Sequence, residues 1–130
     1  MDGEAIQQLA AARTEELPGA RLDHPFGPDW DVFKVRDRVF MLQTRITGAP
    51  IVTLKSSPAD GAALREAYAE ITPGYHMNKE HWITLNPGEG IDAQLVTDLV
   101  TESYVLVLER NVPKSQWPVD PATFGNEAAK

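Results

Sequence analysis

Residues 72–85 read TPGYHMNKEHWITL, the densest run of chemically capable side chains in this chain of 130 residues. The run opens with Pro73 and Gly74, a pair that suits the centre of a type II turn because glycine tolerates the positive φ found there. It closes with residues 82–85, whose alternation predicts a short strand. We therefore expect this stretch to connect a helix to a sheet strand, and any site of the protein to involve it.

Helix signals lie on both sides of this stretch. Ser57 followed by Pro58 predicts the start of a middle helix, since serine caps free N–H groups and proline fits the first helical position. Asp92 predicts the cap of a last helix, and Asp2 that of a first helix that reaches Leu17. The buried stripe of the middle helix is expected to contain Leu64, Ala67, Tyr68 and Ile71.

Short alternating runs fill the region between the first and middle helices. Residues 31–36, 39–45 and 51–55 each predict a strand, and residues 21–26 predict a short edge strand. Consecutive short runs joined by tight turns are typical of an antiparallel sheet. The predicted order is α-β-β-β(-β)-α-β-α, which indicates an α+β two-layer sandwich with helices on one face of an antiparallel sheet.

Composition indicates one ordinary globular domain, which we assign to residues 1–110. Residues 111–130 contain three prolines and no periodicity, and they predict a tail anchored by Trp117 or Phe124. The absence of cysteine excludes disulfides and thiolate sites and is compatible with a cytoplasmic location. No run approaches the roughly 18 apolar residues of a membrane span, and residues 1–20 lack the pattern of a signal peptide.

Charge is unevenly distributed along the chain. The formal net charge of −7 disfavours nucleic acid, since such binding depends on basic residues that neutralise phosphates. Residues 32–56 nevertheless have a local net charge of +4. If the apolar strand residues face the helices, the opposite face becomes a basic, partly aromatic surface. We expect that surface to carry Lys34, Arg36, Thr53, Lys55, Trp82 and Thr84, with Gln43 and Arg45 beside them.

Catalytic and metal chemistry find little support in the sequence. His76 and His81 are five residues apart, which is not the i, i+4 spacing of two ligands on one helix face. His24 is expected to anchor its own loop. No nucleophile elbow surrounds Ser103 or Thr72, and no phosphate-binding glycine loop is present. We predict no catalytic residue, metal or cofactor, and hence a protein that is not an enzyme.

Four segments form one recognisable pattern. They are residues 23–29 (DHPFGPD) with 31–35 (DVFKV), residues 53–55 (TLK), residues 72–82 (TPGYHMNKEHW), and Ser103-Tyr104 with Leu106-Val107. Over about residues 5–110, their order and spacing resemble the MmcQ/YjbR family of small bacterial proteins. The resemblance implies the YjbR-like fold, which is related in shape to frataxin-like proteins and type III secretion chaperones. It also implies DNA binding, by analogy with a double-wing motif, and no catalytic residue set.

Three functions are compatible with these observations. The first is DNA binding through the basic sheet face and the 72–82 loop. The second is a protein-interaction or chaperone-like module, a monomer or weak dimer, that binds no nucleic acid. The third is a small-molecule site at the 72–82 loop, walled by Tyr75, His76, His81 and Trp82, which an open pocket there would favour. The residues assigned to nucleic-acid or partner binding are Lys34, Arg36, Lys55, Lys79, His81 and Trp82.

The remaining motif residues are expected to hold the fold together. Tyr104 falls on the buried stripe of the last helix, and its hydroxyl is expected to reach a polar partner near the 72–82 loop. The full set of structural motif residues is His24, Pro25, Phe26, Gly27, Pro73, Gly74, Tyr75, His76, Asn78 and Tyr104.

Overall fold

A computed structural model describes residues 1–124 as three helices and one six-stranded sheet. The helices are α1 (Gly3–Thr14), α2 (Pro58–Ala67) and α3 (Ala93–Asn111). The strands are β1 (Ala20–Asp23), β2 (Trp30–Val35), β3 (Arg38–Thr44), β4 (Ile51–Lys55), β5 (Ile71–Pro73) and β6 (Trp82–Leu85). They form an antiparallel sheet in the order β1-β2-β3-β4-β6-β5. The predicted α+β class is confirmed, and residues 125–130 of the predicted tail lie outside the described residues.

All three helices begin at the predicted caps. A side-chain oxygen of Asp2, Ser57 and Asp92 accepts a hydrogen bond from the backbone N–H three residues further on. The prediction for the end of α1 is wrong, because the helix ends at Thr14 and a turn leads on to Leu17. Pro18 explains the early end, since a residue that precedes proline is disfavoured in the helical region of φ and ψ.

The strand β5 is absent from the sequence prediction. Tyr68 and Ile71 were expected on the stripe of α2, but that helix ends at Ala67 and Ile71 begins β5. This strand pairs with β6 along the edge of the sheet, where Pro73 is tolerated because no neighbouring strand needs its missing N–H. Three residues are too few to show a periodic pattern, which is why the sequence did not predict the strand.

The main core lies between the sheet and two of the helices. Helices α1 and α3 pack together and against the central strands, whereas α2 packs beside β5. The most deeply buried apolar side chains of this core are Ile6, Phe40, Met41, Val35, Val52, Leu54, Ile83, Leu85, Tyr104 and Leu108.

Ser103 ties α3 to the sheet at the point where β3 and β4 separate. Its hydroxyl donates to the carbonyl of Phe40 (2.5 Å) and accepts from the backbone N–H of Lys55 (2.8 Å). The regular pairing of the two strands ends at Met41 and Leu54. A helix side chain therefore satisfies backbone groups that the strands would otherwise leave unpaired.

Tyr104 does not contact the 72–82 loop, so that expectation is wrong. Its hydroxyl donates to the carbonyl of Pro18 at 2.5 Å, and its ring meets the edge of Phe40 at a centroid distance of 5.6 Å. The reason is topological: α3 packs on one face of the sheet, while the loop lies on the other. Burial raises the pKa of Tyr104 to about 12, although Arg36 opposes the shift.

The segment after α3 also packs on the helix side. The indole N–H of Trp117 donates to the carbonyls of Leu108 (2.8 Å) and Val112 (3.0 Å). The ring of Phe124 lies 5.5 Å from that of Tyr104. Both aromatic residues that were expected to anchor the tail therefore contact α3.

Candidate functional site

The face of the sheet opposite the helices is covered by residues 74–81, which we call the crossing loop. Under the loop, Val32, Leu42 and Trp82 form a second, smaller apolar cluster. Met77 from the crossing loop packs against it, together with Trp30 and Val39. The sequence predicted an open basic surface here, and the loop instead buries the middle of this face.

Gly74 allows the crossing loop to leave β5 and pass directly over β6. Its N–H donates to the carbonyl of Trp82 at 2.8 Å, and a Cβ placed on it would lie 2.5 Å from the Cβ of Trp82. The predicted type II turn is wrong, because Pro73 belongs to β5 and Gly74 is not among the residues with positive φ. Glycine is required at this position for close approach of two chain segments.

Three further features shape the crossing loop. His76 has a φ of 58°, a left-handed conformation that is uncommon for residues other than glycine. The side-chain oxygen of Asn78 accepts from the backbone N–H groups of Glu80 (2.9 Å) and His81 (3.3 Å), which turns the chain back toward β6. The N–H of Tyr75 donates to the hydroxyl of Thr84 at 2.9 Å and fastens the loop to the sheet.

An aromatic stack fixes the side chains at the tip of the loop. The rings of Trp30 and Tyr75 are nearly parallel, with an angle of 11° and a centroid distance of 6.1 Å. The imidazole of His76 lies 4.2 Å from the ring of Tyr75 and 6.1 Å from that of Trp30. The stack thus joins the segment 72–82 to Trp30, which lies between the two parts, 23–29 and 31–35, of another segment of the pattern.

Two of the predicted basic binding residues already have partners. The ammonium group of Lys34 lies 3.0 Å from a carboxylate oxygen of Asp23, and this hydrogen bond is the main reason that the pKa of Asp23 is lowered. The ammonium group of Lys55 donates to the side chain of Asn111 at 2.6 Å and lies 5.8 Å from the ring centroid of Trp82. Burial, followed by the charge of Arg110, lowers the pKa of Lys55.

Three residues predicted on this face lie on the helix side instead. Arg36 donates from Nε to the carbonyl of Gln116 at 2.9 Å, in the segment that follows α3. The amide of Gln43 donates to a carbonyl of α1 at 3.0 Å, and Arg45 lies 3.2 Å from Glu4 of that helix. A register shift in β2 and a positive φ redirect Arg36. Residues 43 and 45 follow the core residue Met41 at intervals of two, so they lie on the same side of the sheet as Met41.

The last three predicted binding residues differ in accessibility. Trp82 is 8% exposed, so its indole is not free to stack on a base. His81 is partly buried, and Lys79 is exposed. Within residues 1–124, Lys79 makes no hydrogen bond or ion pair.

A cleft of about 450 Å³ opens between the crossing loop and the ends of β4 and β6. Its lining includes no aspartate or glutamate among the described residues, although the protein as a whole is acidic. The lining residues are Thr47, Ile51, Thr72, Pro73, Gly74, Tyr75, His76, Met77, Lys79, Thr84 and Asn86.

Polar groups at this cleft divide into two kinds. Thr84 and Asn86 are occupied: Thr84 accepts from Tyr75, and the amide of Asn86 donates to the carbonyl of Glu70 and the hydroxyl of Thr72. In contrast, the phenol of Tyr75, the ring nitrogens of His76 and the ammonium group of Lys79 have no hydrogen-bonding partner within residues 1–124. Three donors of one cleft are therefore available to a ligand.

The loop of residues 24–29 is held by one exposed pair. His24 Nε2 and Asp31 Oδ1 are 2.8 Å apart, and both side chains are about half exposed. Gly27 occupies a positive φ of 91°, and Phe26 is 65% exposed. No group of three or more His, Cys, Asp or Glu side chains within residues 1–124 is arranged to hold a metal ion.

Sequence reasoning missed the sheet side of the cleft. Ile51 and Asn86 line it from the ends of β4 and β6, which the sequence placed correctly, and Thr84 was predicted on this face but not at a cleft, because the course of the crossing loop was unknown. Trp30 was also missed, although its position at the start of β2 places it on the same face as Val32. Alternation along β2 was the signal that would have placed it there.

Comparison with known proteins assigns the fold to a family. The family model described as YjbR matches residues 15–106. The chain belongs to the YjbR family. It is 40% identical to "Uncharacterized protein YbdF" of Escherichia coli O157:H7 over 121 residues. These residues cover 93% of this chain and 99% of that protein. It is also 32% identical over 78 residues to "Uncharacterized protein YjbR" of Escherichia coli K12, covering 58% of this chain and 66% of that protein.

Two solved structures resemble this one. Deinococcus radiodurans protein DR2400, with a domain named DUF419, superposes with a TM-score of 0.74 at 33% identity, covering 81% of this chain and 80% of that chain. A Pseudomonas syringae protein superposes with a TM-score of 0.64 at 30% identity, covering 77% of this chain and 96% of that chain. Within residues 1–124, no helix is both long and apolar enough to span a membrane.

Proposed function

We propose that this protein is a non-enzymatic binding protein that takes a small molecule in the cleft beside the crossing loop. The observation that carries the proposal is that three residues lining one concave surface, Tyr75, His76 and Lys79, have side-chain donors without partners within residues 1–124. Small-molecule sites are typically concave, mostly apolar, and supplied with a few polar groups that fix the ligand's orientation.

The construction of the loop supports the same function. His76 occupies a left-handed conformation, and backbone strain of this kind is found preferentially at ligand sites. The Trp30–Tyr75 stack and the hydrogen bond from Tyr75 to Thr84 hold the loop in one position on the rigid sheet. A binding loop that is already ordered loses little conformational entropy when its ligand arrives.

Nucleic-acid binding, which the resemblance implies, is less well supported by these contacts. Lys34 and Lys55 are engaged by Asp23 and Asn111, Arg36 lies on the helix side, and Trp82 is buried. Of the predicted basic residues on this face, Lys79 is exposed and unpartnered within residues 1–124. A single free lysine provides little of the phosphate neutralisation on which DNA affinity depends.

A cytoplasmic location is also part of the proposal, and it rests on the cysteine-free sequence.

The absence of catalysis is part of the proposal as well. Within residues 1–124, the one hydrogen bond made by an imidazole side chain joins His24 to Asp31. That pair lacks a hydroxyl nucleophile bonded to the histidine, the arrangement that activates serine or threonine. Among the described residues of the cleft, no serine or threonine hydroxyl is hydrogen-bonded to a histidine.

An NMR titration of ¹⁵N-labelled protein with a library of small fragments tests the proposal. We expect fragments to shift the amide signals of residues 74–79 and 84–86. Thr47→Trp places an indole at the exposed rim of the cleft and is expected to abolish these shifts. Ala62→Trp is the matched control, because it adds the same group to an exposed position on α2, away from the cleft, and should leave binding unchanged.

Two outcomes would overturn the proposal. One is the failure of every fragment to shift these amides in a protein that is folded. The other is a titration in which a short DNA duplex, but no fragment, shifts them at low salt, because that result would restore the nucleic-acid function. Sedimentation in the same buffer reports whether the protein is a monomer or a weak dimer.

A further inference from the structure

We propose that the ligand of the cleft is a planar aromatic ring that carries a single carboxylate, an inference that rests on the small-molecule function proposed above. Three properties of the cleft lead to it: a fixed aromatic wall, a complete lack of acidic side chains among its described lining residues, and one free lysine.

The aromatic wall favours a flat ligand. Tyr75 is held by its near-parallel stack on Trp30, and His76 lies against Tyr75 at 4.2 Å. Ile51 and Met77 supply the apolar remainder of the lining. Aromatic pairs gain from stacked or edge-to-face contact beyond the area they bury, and methionine sulfur also contacts ring edges favourably.

The charge of the cleft favours an anion. The chain has a net charge of −7, yet Lys79 provides the only formal charge among the described lining residues, which also include His76. An imidazole has at least one N–H donor in either protonation state, and a phenol has one O–H. A carboxylate can accept hydrogen bonds from all three, and those from an ammonium group are among the stronger ones in proteins.

A carboxylate fits better than a phosphate. Phosphate sites usually add several free backbone N–H groups or a helix N-terminus to their basic side chains. Five of the eight N–H groups of the crossing loop are already bonded: those of Gly74, Tyr75 and Met77 donate to Trp82, Thr84 and Gly74, and those of residues 80 and 81 donate to Asn78. The single ammonium group of Lys79 therefore matches a monoanion rather than a dianion.

The experiment compares naphthalene-2-carboxylate with its neutral analogue, naphthalene-2-carboxamide, by NMR titration of the full-length protein. The two probes share ring and size, so the difference isolates the charge. We expect the carboxylate to bind roughly tenfold more tightly, the effect of one charge-assisted hydrogen bond. Lys79→Met should remove this preference, because it weakens binding of the carboxylate more than binding of the carboxamide. Lys114→Met, at an exposed lysine outside the cleft, should preserve it.

The possible failures separate the two proposals. Equal binding of both probes overturns the carboxylate. A preference for the carboxylate that persists in Lys79→Met overturns its assignment to Lys79, and in both cases the cleft remains a ligand site. Binding of aliphatic fragments but of neither naphthalene overturns the planar ring. Failure of every fragment, including both naphthalenes, overturns the proposed function itself. The proton spectrum of Lys79→Met verifies that the variant is folded, which is expected for a substitution at an exposed position.

Discussion

The two faces of the sheet are built in opposite ways. On the helix face, three polar side chains that reach the core are satisfied: Ser103 bridges two strands, Tyr104 donates to Pro18, and Gln43 donates to α1. On the other face, a small apolar cluster is covered by one loop, and Tyr75, His76 and Lys79 present donors without partners within residues 1–124.

Under the proposed function, the helix face stabilises the fold and the face under the crossing loop binds the ligand. A buried polar group that lacks a partner is costly, which is why these three side chains of the helix face are hydrogen-bonded within the fold. Donors at the rim of an open cleft bear no such cost, because they can donate hydrogen bonds to water when no ligand is bound. Loops that are held on a rigid scaffold commonly carry binding residues for this reason.

The largest expected effect comes from truncating one leucine on each face of the sheet to alanine. Leu54 lies in the main core and Leu42 in the smaller cluster, on adjacent strands. We expect Leu54→Ala to lower the free energy of unfolding by about 4 kcal/mol and Leu42→Ala by about 2 kcal/mol, because the crossing loop can settle into the smaller cavity. Urea denaturation measures both losses. Equal losses would show that the two faces are equally rigid.

A smaller effect is expected where the crossing loop passes over β6. Gly74→Ala would place a Cβ 2.5 Å from that of Trp82, so the backbone must move, at a cost of about 2 kcal/mol. We also expect faster hydrogen exchange at the Tyr75 amide as its bond to Thr84 loosens. Gly27→Ala is the control, since its Cβ meets nothing within 4 Å and only the positive φ opposes it, at about 1 kcal/mol. A smaller loss of unfolding free energy in Gly74→Ala than in Gly27→Ala would contradict the close packing of Gly74 against Trp82.

The smallest effect concerns Tyr104 and depends on pH. Tyr104→Phe leaves the carbonyl of Pro18 without its donor and should lower the free energy of unfolding by about 1 kcal/mol near neutral pH. The pKa of Tyr104 rises from its ordinary 10.0 to about 12 on folding, so the folded state holds this proton more tightly than the unfolded state. Its contribution is therefore complete below pH 10 and is lost as the pH rises toward 12.

The free energy of unfolding of the wild type and of Tyr104→Phe is measured by denaturation across that pH range. Lysines titrate equally in both proteins, so the difference between the two reports on Tyr104. The gap between the two unfolding free energies should narrow above pH 10. A gap that stays constant to pH 12 would mean that the phenol titrates alike in both states.

The sequence predicted the order of most elements because their signals are local. The caps Asp2, Ser57 and Asp92 act within one turn of their helices, and the alternation of strands such as 51–55 requires only that one face be buried. The resemblance, carried by short motifs in a fixed order, also led to the family that the comparisons confirm.

The candidate site depended on contacts between distant segments. Nothing local to residues 72–85 indicated that the loop would cross β6, cover Trp82 and stack Tyr75 on Trp30. Likewise, the partners of Lys34 and Lys55 come from other strands and helices, so a basic sequence run did not become a basic surface. The sequence by itself determined which segments become helices and strands and which residues carry the chemistry. Only the tertiary structure decided which of those residues remain free, because that depends on neighbours brought close by folding.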